Sequence, residues 1–323
     1  MRLRLCFALA AFAVATTAQA QGFETFNQSS VARASALPGL GQGAVVPKGE
    51  SINSVTLDWS NEFFVQGNAR EDLTLDGESQ RVALRYRAGI APVFGHALEW
   101  SLEVPLLFTG GGVMDSGIES WHDTFGLPNA NRGDVPQDRY RLRYVRDGVT
   151  LLDINKGDSG FADVRLGLGL ALSERFTLRG LLQLPTGDKD QLTGGHTGGA
   201  LWVDYSLPLT ESRRAALLLS GGVSAATTDG PLADLQQPVV GLAGAVLIVP
   251  IYGALDGVVQ VNAHSKLYKS SSLDPLSRVG APLAFGLRLP YQHFVFDLAV
   301  LEDPSVNASP DFGILFGIKV KAY

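Results

Sequence analysis

The chain has 323 residues, of which 26 are basic and 32 acidic, for a formal net charge of −6. This acidic balance argues against nucleic acid as a partner, because nucleic-acid binding depends on clustered Lys and Arg. Hydrophobic residues make up 46% of the chain and 37 residues are glycine, which suits a barrel with an apolar exterior but also a soluble enzyme.

The N-terminus has the order of a secretory signal peptide. Arg2 and Arg4 precede an apolar run over residues 5–15, and small residues follow up to Ala20, so we predict Sec-type export and cleavage after Ala20. A retained anchor helix is the weaker interpretation, because the apolar run is shorter than the roughly 18 residues that a span needs. The single cysteine, Cys6, leaves with this segment, so no thiol chemistry is expected in the exported product.

Residues 21–50 are rich in Gly, Ser, Ala and Pro and show no sustained period. We expect an irregular segment on the periplasmic side of a membrane or inside a bore, where it either plugs the bore or hangs free.

A period of two dominates the chain after residue 50. In residues 80–90, Leu84 and its apolar neighbours alternate with Arg85 and other arginines, and in residues 98–108 Leu102 and its neighbours alternate with Glu103. Such alternation predicts strands. Their length of about 11 residues matches a tilted bilayer crossing, so we predict that the apolar side faces lipid and the charged side an enclosed interior.

The same pattern predicts an all-β fold, an antiparallel transmembrane β-barrel of about twelve strands over residues 51–323. A loop with Asp72, Asp76 and Gly77 is expected before the second strand, and residues 109–160 are expected to form one long extracellular or lumenal insertion. The expected strands are 52–66, 80–90, 98–108, 161–172, 176–184, 200–207, 215–223, 239–249, 255–264, 279–289, 294–301 and 311–323.

Two features qualify this topology. Residues 239–255 could form one spanning helix, but Pro250 and Gly253 favour two strands joined by a turn. Tight turns alternate with longer polar loops, which is typical of an outer-membrane barrel of a Gram-negative bacterium with short periplasmic turns and both termini in the periplasm. The terminal Tyr323 resembles the assembly signal of such barrels, so the barrel-assembly machinery is an expected partner, together with outer-membrane lipid.

Residue patterns within the long insertion predict two elements of secondary structure, a helix and a hairpin. Ile118, Trp121 and Phe125 recur at helical spacing, which predicts a short amphipathic helix folded over or into the bore. Residues 139–153 predict a hairpin that turns at Asp147. Its arginines form either an anion-binding rim, for lipopolysaccharide phosphate or negative solutes, or a solvated extension paired with nearby acids, and we favour the second interpretation. These arginines are Arg139, Arg141 and Arg143.

Histidines are the main candidates for catalysis. His122 beside Asp123 could act as an acid/base pair, and His264 could form a second site near the rim. Packing of His122 and a lumenal hydrogen bond for His264 are the more conservative interpretations. The five scattered histidines show no metal-ligand spacing, so no metal or other cofactor is expected.

The charges with inward parity form the last candidate site. Mixed rows across a lumen can orient and select solutes, or they can pair and close the bore. These residues are Arg81, Arg85, Arg87, Glu99, Glu103, Asp163, Arg165, Arg179, Asp204, Asp256, Arg288 and Asp297.

Several runs resemble a family of uncharacterised outer-membrane barrel proteins from Gram-negative bacteria, and the likeness covers most of the mature chain. They are 121–128, 144–148, 160–163, 184–188 and 192–194. The resemblance implies fold and location but carries over no catalytic or binding residue. The turn at 185–188 is also similar to one in outer-membrane transporters of aromatic compounds.

A narrow channel or solute-uptake protein of unknown substrate is therefore the leading functional hypothesis. The alternatives are an outer-membrane hydrolase acting through His122 and Asp123 or through His264, and a non-conducting structural barrel.

Overall fold

The computed structural model describes residues 20–126, 132–211, 214–304 and 308–322. The predicted signal peptide up to residue 19, the end of the 121–128 run and Tyr323 lie outside these ranges. The strands are β1 Ser51–Gly67, β2 Glu71–Val93, β3 His96–Gly110, β4 Arg141–Arg146, β5 Val149–Ile154, β6 Ser159–Phe161, β7 Val164–Ala171, β8 Phe176–Leu184, β9 Gly198–Pro208, β10 Ala216–Ala226, β11 Val239–Tyr252, β12 Leu255–His264, β13 Leu283–Tyr291, β14 Phe294–Glu302 and β15 Phe312–Ala322. The α-helices are α1 Asp115–Phe125 and α2 Asp274–Ser277, and 3-10 turns span Ser30–Ser35 and Arg132–Asp134.

Sequential antiparallel pairing closes the sheet on itself. The last strand, β15, pairs with β1 from Ser51 opposite Ala322 to Asn61 opposite Phe312. In the part of the chain that the structure describes, twelve strands form the closed barrel, namely β1 to β3 and β7 to β15, while β4 to β6 are added at its edge. The predicted all-β barrel is confirmed, and residues 239–255 form β11, a turn and the start of β12 rather than one helix.

The two faces of the wall have the predicted polarity. Leu84 and Phe316 are 49% and 47% exposed on the outside, whereas Arg87 is 2% exposed inside the barrel. Exposed aromatic residues such as Tyr252 and Tyr291 lie near strand ends, as in the aromatic girdles of membrane barrels. The arrangement is an inverted core, with apolar side chains outward and charges within.

The two ends of the barrel differ. One end, which we call the turn end, has tight turns such as Phe94-Gly95, where both residues have positive φ (50° and 81°) as a type I′ hairpin requires. The opposite end, which we call the loop end, carries the longer connections, including residues 185–197 and 265–282. Because the number of barrel strands is even, the start of β1 and the end of β15 both lie at the turn end.

The expected loop with Asp72, Asp76 and Gly77 is wrong. These residues belong to β2, which pairs with β1 as far as Asp72 opposite Gly67. Where β3 ends, β4 takes its place beside β2, with Asp76 opposite Arg141. The polarity of the alternation is reversed in this part of the strand, because β2 here extends beyond the lipid-facing wall. Leu73 and Leu75 are buried in the interior of the loop end instead of facing lipid.

The predicted helix is present as α1, but its expected position over or inside the bore is wrong. Ile118 and Met114, both buried, pack with Phe312 against the outer face of the wall, where Trp59 and Ile314 also contact the group. Outward-facing aromatic residues at the loop end give α1 an apolar surface on which to pack.

The N-terminus of α1 is held by the wall. A Glu78 carboxylate oxygen accepts hydrogen bonds from the backbone N–H groups of Val113 (2.8 Å) and Met114 (2.5 Å). Gly112 has φ +76°, and a Cβ there would collide with the Glu78 carboxylate. Glycine is therefore required where the chain crosses from β3 to the outer face.

Candidate functional site

Residues 21–48, which we call the plug, lie inside the barrel and are bonded to several sides of its wall. The Thr25 hydroxyl donates to Asp58 of β1, and Asn262 of β12 donates to the Thr25 carbonyl oxygen (2.9 Å). The Tyr268 hydroxyl donates to the Val31 carbonyl oxygen (2.7 Å). An irregular segment without its own hydrogen-bond ladder is thus satisfied by the wall.

Arginines of the inner face bind carbonyl oxygens of the plug. Arg179 Nη2 donates to Gly43 (2.8 Å), Arg165 Nη1 to Leu37 (3.1 Å) and Arg288 Nη2 to Gly22 (3.0 Å). Arg288 also donates to the carbonyl of Gln21. Because a guanidinium has five donors and no acceptor, it can hold a carbonyl and a carboxylate at once.

The twelve predicted inward charges all face the lumen, and most of them are paired there. Glu99 accepts two hydrogen bonds from Arg87 (2.8 and 2.9 Å) and one from Val46 N of the plug (2.6 Å). Arg179 pairs with both Glu99 and Asp204, at 2.5 and 2.8 Å. The other pairs are Arg81–Glu103, Arg165–Glu103, Arg214–Asp256 and Arg288–Asp297. The charges hold the plug and one another together.

Four further lumenal groups were not among the predicted site residues. Glu62 accepts from the Ser29 hydroxyl and from Ser30 N (3.0 Å), and Lys319 lies 3.8 Å from Glu24 of the plug and 3.1 Å from Asp297 of the wall. Asp58 and Gln260 also bond to the plug. Their inward parity was visible, but nothing in the alternation shows that a segment more than 30 residues away would be their partner.

Asp163 organises the loop between β8 and β9. Its carboxylate accepts hydrogen bonds from Gly187 N (2.9 Å), Gly195 N (2.7 Å), His196 N (3.2 Å) and Gln183 Nε2 (2.9 Å). Two of the runs quoted above, 160–163 and 184–188, therefore meet at one carboxylate. Their role here is to fold the loop over the bore.

An apolar cluster closes the loop end. Leu73 and Leu75 of the β2 extension pack with Tyr144 of β4, Leu276 of α2 and Val31 of the plug, all nearly inaccessible to solvent. Burial of this kind excludes water. The bore is thus blocked by the plug along its length and by this cluster at one end.

Three small cavities remain between the plug and the wall of β1, β2, β3, β7 and β8. The first lies beside Arg85 and Glu103, the second beside Arg81 and Leu107, and the third near Tyr140. Arg165 lines the first two, and Arg33 lines the second and third. Each has room for about one or two water molecules, so together they form an interrupted row from mid-barrel towards the loop end.

The structure separates the histidines considered for catalysis. His122 is buried under α1 on the outer side of the wall, 4.0 Å from Glu302, while Asp123 is exposed. His264 is inside, where Asn27 Nδ2 contacts its Nε2 (2.7 Å) and the Ser265 carbonyl contacts its Nδ1 (2.8 Å). These contacts correspond to the packing and hydrogen-bonding interpretations.

The arginines of the predicted rim pair with acids around them. Arg139 lies 2.7 Å from Asp76, and Arg141 lies 2.5 Å from Asp153. Arg143 is 3.6 Å from Asp72. The hairpin therefore corresponds to the paired extension of the wall rather than to a row of free cations.

Comparison with known proteins relates the chain to one sequence family. The model of the family described as protein of unknown function (DUF3187) matches residues 2–322. No curated protein matches the sequence.

Solved structures with related folds are outer-membrane barrels. The COG4313 outer membrane channel from Pseudomonas putida F1 is 14% identical with a TM-score of 0.54, and the match covers 86% of this chain and 97% of that one. The CymD monoaromatic hydrocarbon channel is 12% identical, covering 85% and 88%, with a TM-score of 0.41. The NanC porin is 8% identical, covering 84% and 98%, with a TM-score of 0.42. These likenesses concern the fold. The chain belongs to the DUF3187 family.

Proposed function

We propose that this DUF3187 protein is a narrow solute channel of the outer membrane whose closed state is held by the plug. The observation that carries the proposal is that the bore is filled by a separate segment rather than by the side chains of the wall. Polar contacts such as Thr25–Asp58 and Arg179 to the Gly43 carbonyl can be exchanged for water when the plug moves.

The size of the barrel supports the same conclusion. Barrels of about eight strands are filled by their own inward side chains, and barrels of about sixteen leave an open pore. A twelve-stranded wall lies between these limits, so it needs an inserted segment to close it. The row of cavities beside Arg165 and Arg33 marks the side on which plug and wall fit least tightly.

The direction of insertion follows from the general rule for such barrels. We propose that the signal peptide directs Sec-type export, that the assembly machinery inserts the barrel, and that the turn end faces the periplasm. The loop end would then face outward among lipopolysaccharide molecules.

A reversible disulfide between plug and wall tests the proposal. The Leu40 Cβ lies 3.0 Å from the position that a Cβ on Gly244 would take, close to the Cβ–Cβ distance of about 3.8 Å in disulfides. In planar bilayers, we expect the reduced Leu40→Cys/Gly244→Cys protein to conduct like wild type and the oxidised protein to be silent. Because Cys6 is the only native cysteine and lies in the predicted signal peptide, each single variant serves as a matched control.

Two outcomes would contradict the proposal. Folded wild-type and reduced proteins that both pass no current would favour the structural barrel. An oxidised protein that conducts as well as the reduced one would show that movement of the plug is not what opens the bore.

A further inference from the structure

Guanidinium groups dominate the row of cavities between the plug and the wall. Arg85 and Arg165 line the first cavity, and Arg33, Arg81 and Arg165 line the second. Arg81 and Arg165 also lie over the ring of Phe26, at 4.9 and 4.2 Å from its centroid. Two cations of the wall therefore stack on one aromatic ring of the plug.

Two of these arginines, Arg33 and Arg85, have neutral hydrogen-bond partners. Arg85 donates to the side-chain oxygen of Gln42 (2.9 Å), and Arg33 donates to the Gln28 carbonyl (3.0 Å). Neither forms an ion pair within the described residues. The Nε atoms of Arg33, Arg85 and Arg165 are buried without a hydrogen-bond partner among those residues. Each retains an unused donor beside a cavity.

The carboxylates of the wall near the cavities do not balance this charge. Asp163 is occupied by four N–H donors of its own loop and of Gln183. Glu103 is the acid that Arg81 and Arg165 share. Of the wall carboxylates, Glu103 alone faces three guanidiniums, Arg85 included, and Glu24 of the plug is the second acid at the first cavity. Glu24 leaves with the plug, so a negative group on a solute would then complete the set.

Part of the remaining lining is apolar. Phe26 and Leu181 border the first cavity, and Pro105 and Leu107 border the second. Inorganic phosphate, which is hydrated on all sides, fits such a lining poorly. A carboxylate attached to a small apolar body would match both the cations and the hydrocarbon surface.

We propose that the permeating solutes are small organic carboxylates, and that Arg85 and Arg165 of the wall bind the carboxylate as the plug withdraws. This inference rests on the proposed channel function and adds the class of substrate. The carboxylate takes up the donors that the carbonyl groups of the plug release.

Uptake into liposomes tests the substrate class. We expect benzoate to enter several-fold faster than benzamide, which has the same shape without the charge, through the reduced Leu40→Cys/Gly244→Cys protein. Adding Arg85→Gln and Arg165→Gln should remove this preference. Arg85→Lys should retain part of it, because the charge remains while the planar fork is lost.

A matched control separates the effect of losing a lumenal arginine from the effect of losing any arginine. Arg141 is paired outside the bore with Asp153, so Arg141→Gln should leave the benzoate preference unchanged. Circular dichroism of each variant establishes that the barrel has folded, and the reversal potential in a KCl gradient gives an independent measure of anion preference.

The outcomes distinguish the two proposals. If benzamide and benzoate enter equally and the arginine variants change nothing, the carboxylate inference fails although the channel stands. If inorganic phosphate inhibits benzoate uptake as strongly as added benzoate does, the apolar lining does not contribute to selection. The proposed class of organic carboxylates is then wrong. If the reduced protein admits no solute at all, the channel proposal itself fails.

Discussion

The plug and α1 are packed against the same strand of the barrel on opposite faces. Along β1, Asp58 and Glu62 bind the plug inside, whereas Trp59 contacts the α1 cluster and Asn61 bonds to Asp115 at the start of α1 outside (3.0 Å). Adjacent residues therefore serve different partners. The alternation of a single strand determines which kind of segment can bind to each side.

The two contacts are held by different physical forces. The plug lies against carboxylates and guanidiniums that bind its backbone, so charge neutralisation and hydrogen bonds dominate. The outer helix buries Ile118 and Met114 against aromatic residues, and apolar burial dominates. We therefore expect the plug to respond to lost charges and α1 to lost apolar volume.

Removal of a lumenal cation should have the largest effect. Arg179→Met leaves Glu99 and Asp204 buried with an incomplete set of partners and frees the Gly43 carbonyl. Breaking a buried pair in this way costs about 3–5 kcal/mol. We expect a loss of that order in the free energy of unfolding, measured by urea titration of the barrel in detergent micelles.

A surface ion pair provides the matched control. Arg141→Met removes the same charge from the β4–β5 hairpin, where the partner Asp153 is half exposed. Exposed pairs contribute about 0–1 kcal/mol. Equal losses in the free energy of unfolding for Arg179→Met and Arg141→Met would mean that the lumenal ion pairs stabilise the protein no more than an exposed ion pair does.

Truncation in the outer helix should have a smaller and local effect. Ile118→Ala removes volume from the contact between α1 and Phe312, at a cost of about 2–4 kcal/mol. We expect faster hydrogen exchange in residues 113–126 and no change in conductance. Ser116→Ala, at an exposed position of the same helix, should do neither. A change in conductance with Ile118→Ala would mean that α1 takes part in gating.

The sequence predicted the wall far better than its attachments. Alternation is a local signal, so twelve strands and the twelve inward charges could be read from it. The side of the wall that α1 occupies depends on Trp59 and Phe312, which are far apart in sequence and adjacent only after β15 closes on β1. For the same reason the sequence left residues 21–48 open between plugging the bore and hanging free, because their Gly and Ser residues carry no period and their partners lie on distant strands.

The extension at the loop end contrasts with both regions, because its key acid is held by neutral donors. Glu71 accepts hydrogen bonds from the Tyr144 hydroxyl (2.5 Å) and from Ser272 N (3.0 Å) and Oγ (2.9 Å). Partial burial opposes ionisation of Glu71, but these hydrogen bonds outweigh it and lower the pKa of Glu71 to about 2. Stabilisation from the ionised carboxylate is therefore fully present above the ordinary value of 4.5 and is lost as the pH falls from there through about 2.

We expect acid to loosen this end of the barrel, with faster hydrogen exchange in β4 and α2 at pH 3 than at pH 6. Glu71→Gln should reduce this pH dependence, and Tyr144→Phe should cost about 1–2 kcal/mol at neutral pH. Unchanged pH dependence in Glu71→Gln would assign the acid sensitivity to the lumenal carboxylates. Since those carboxylates are paired with arginines, their protonation would free the plug as well, and the Leu40→Cys/Gly244→Cys protein would distinguish the two sources. Its oxidised form should keep the plug in place at pH 3 while the loop end still opens.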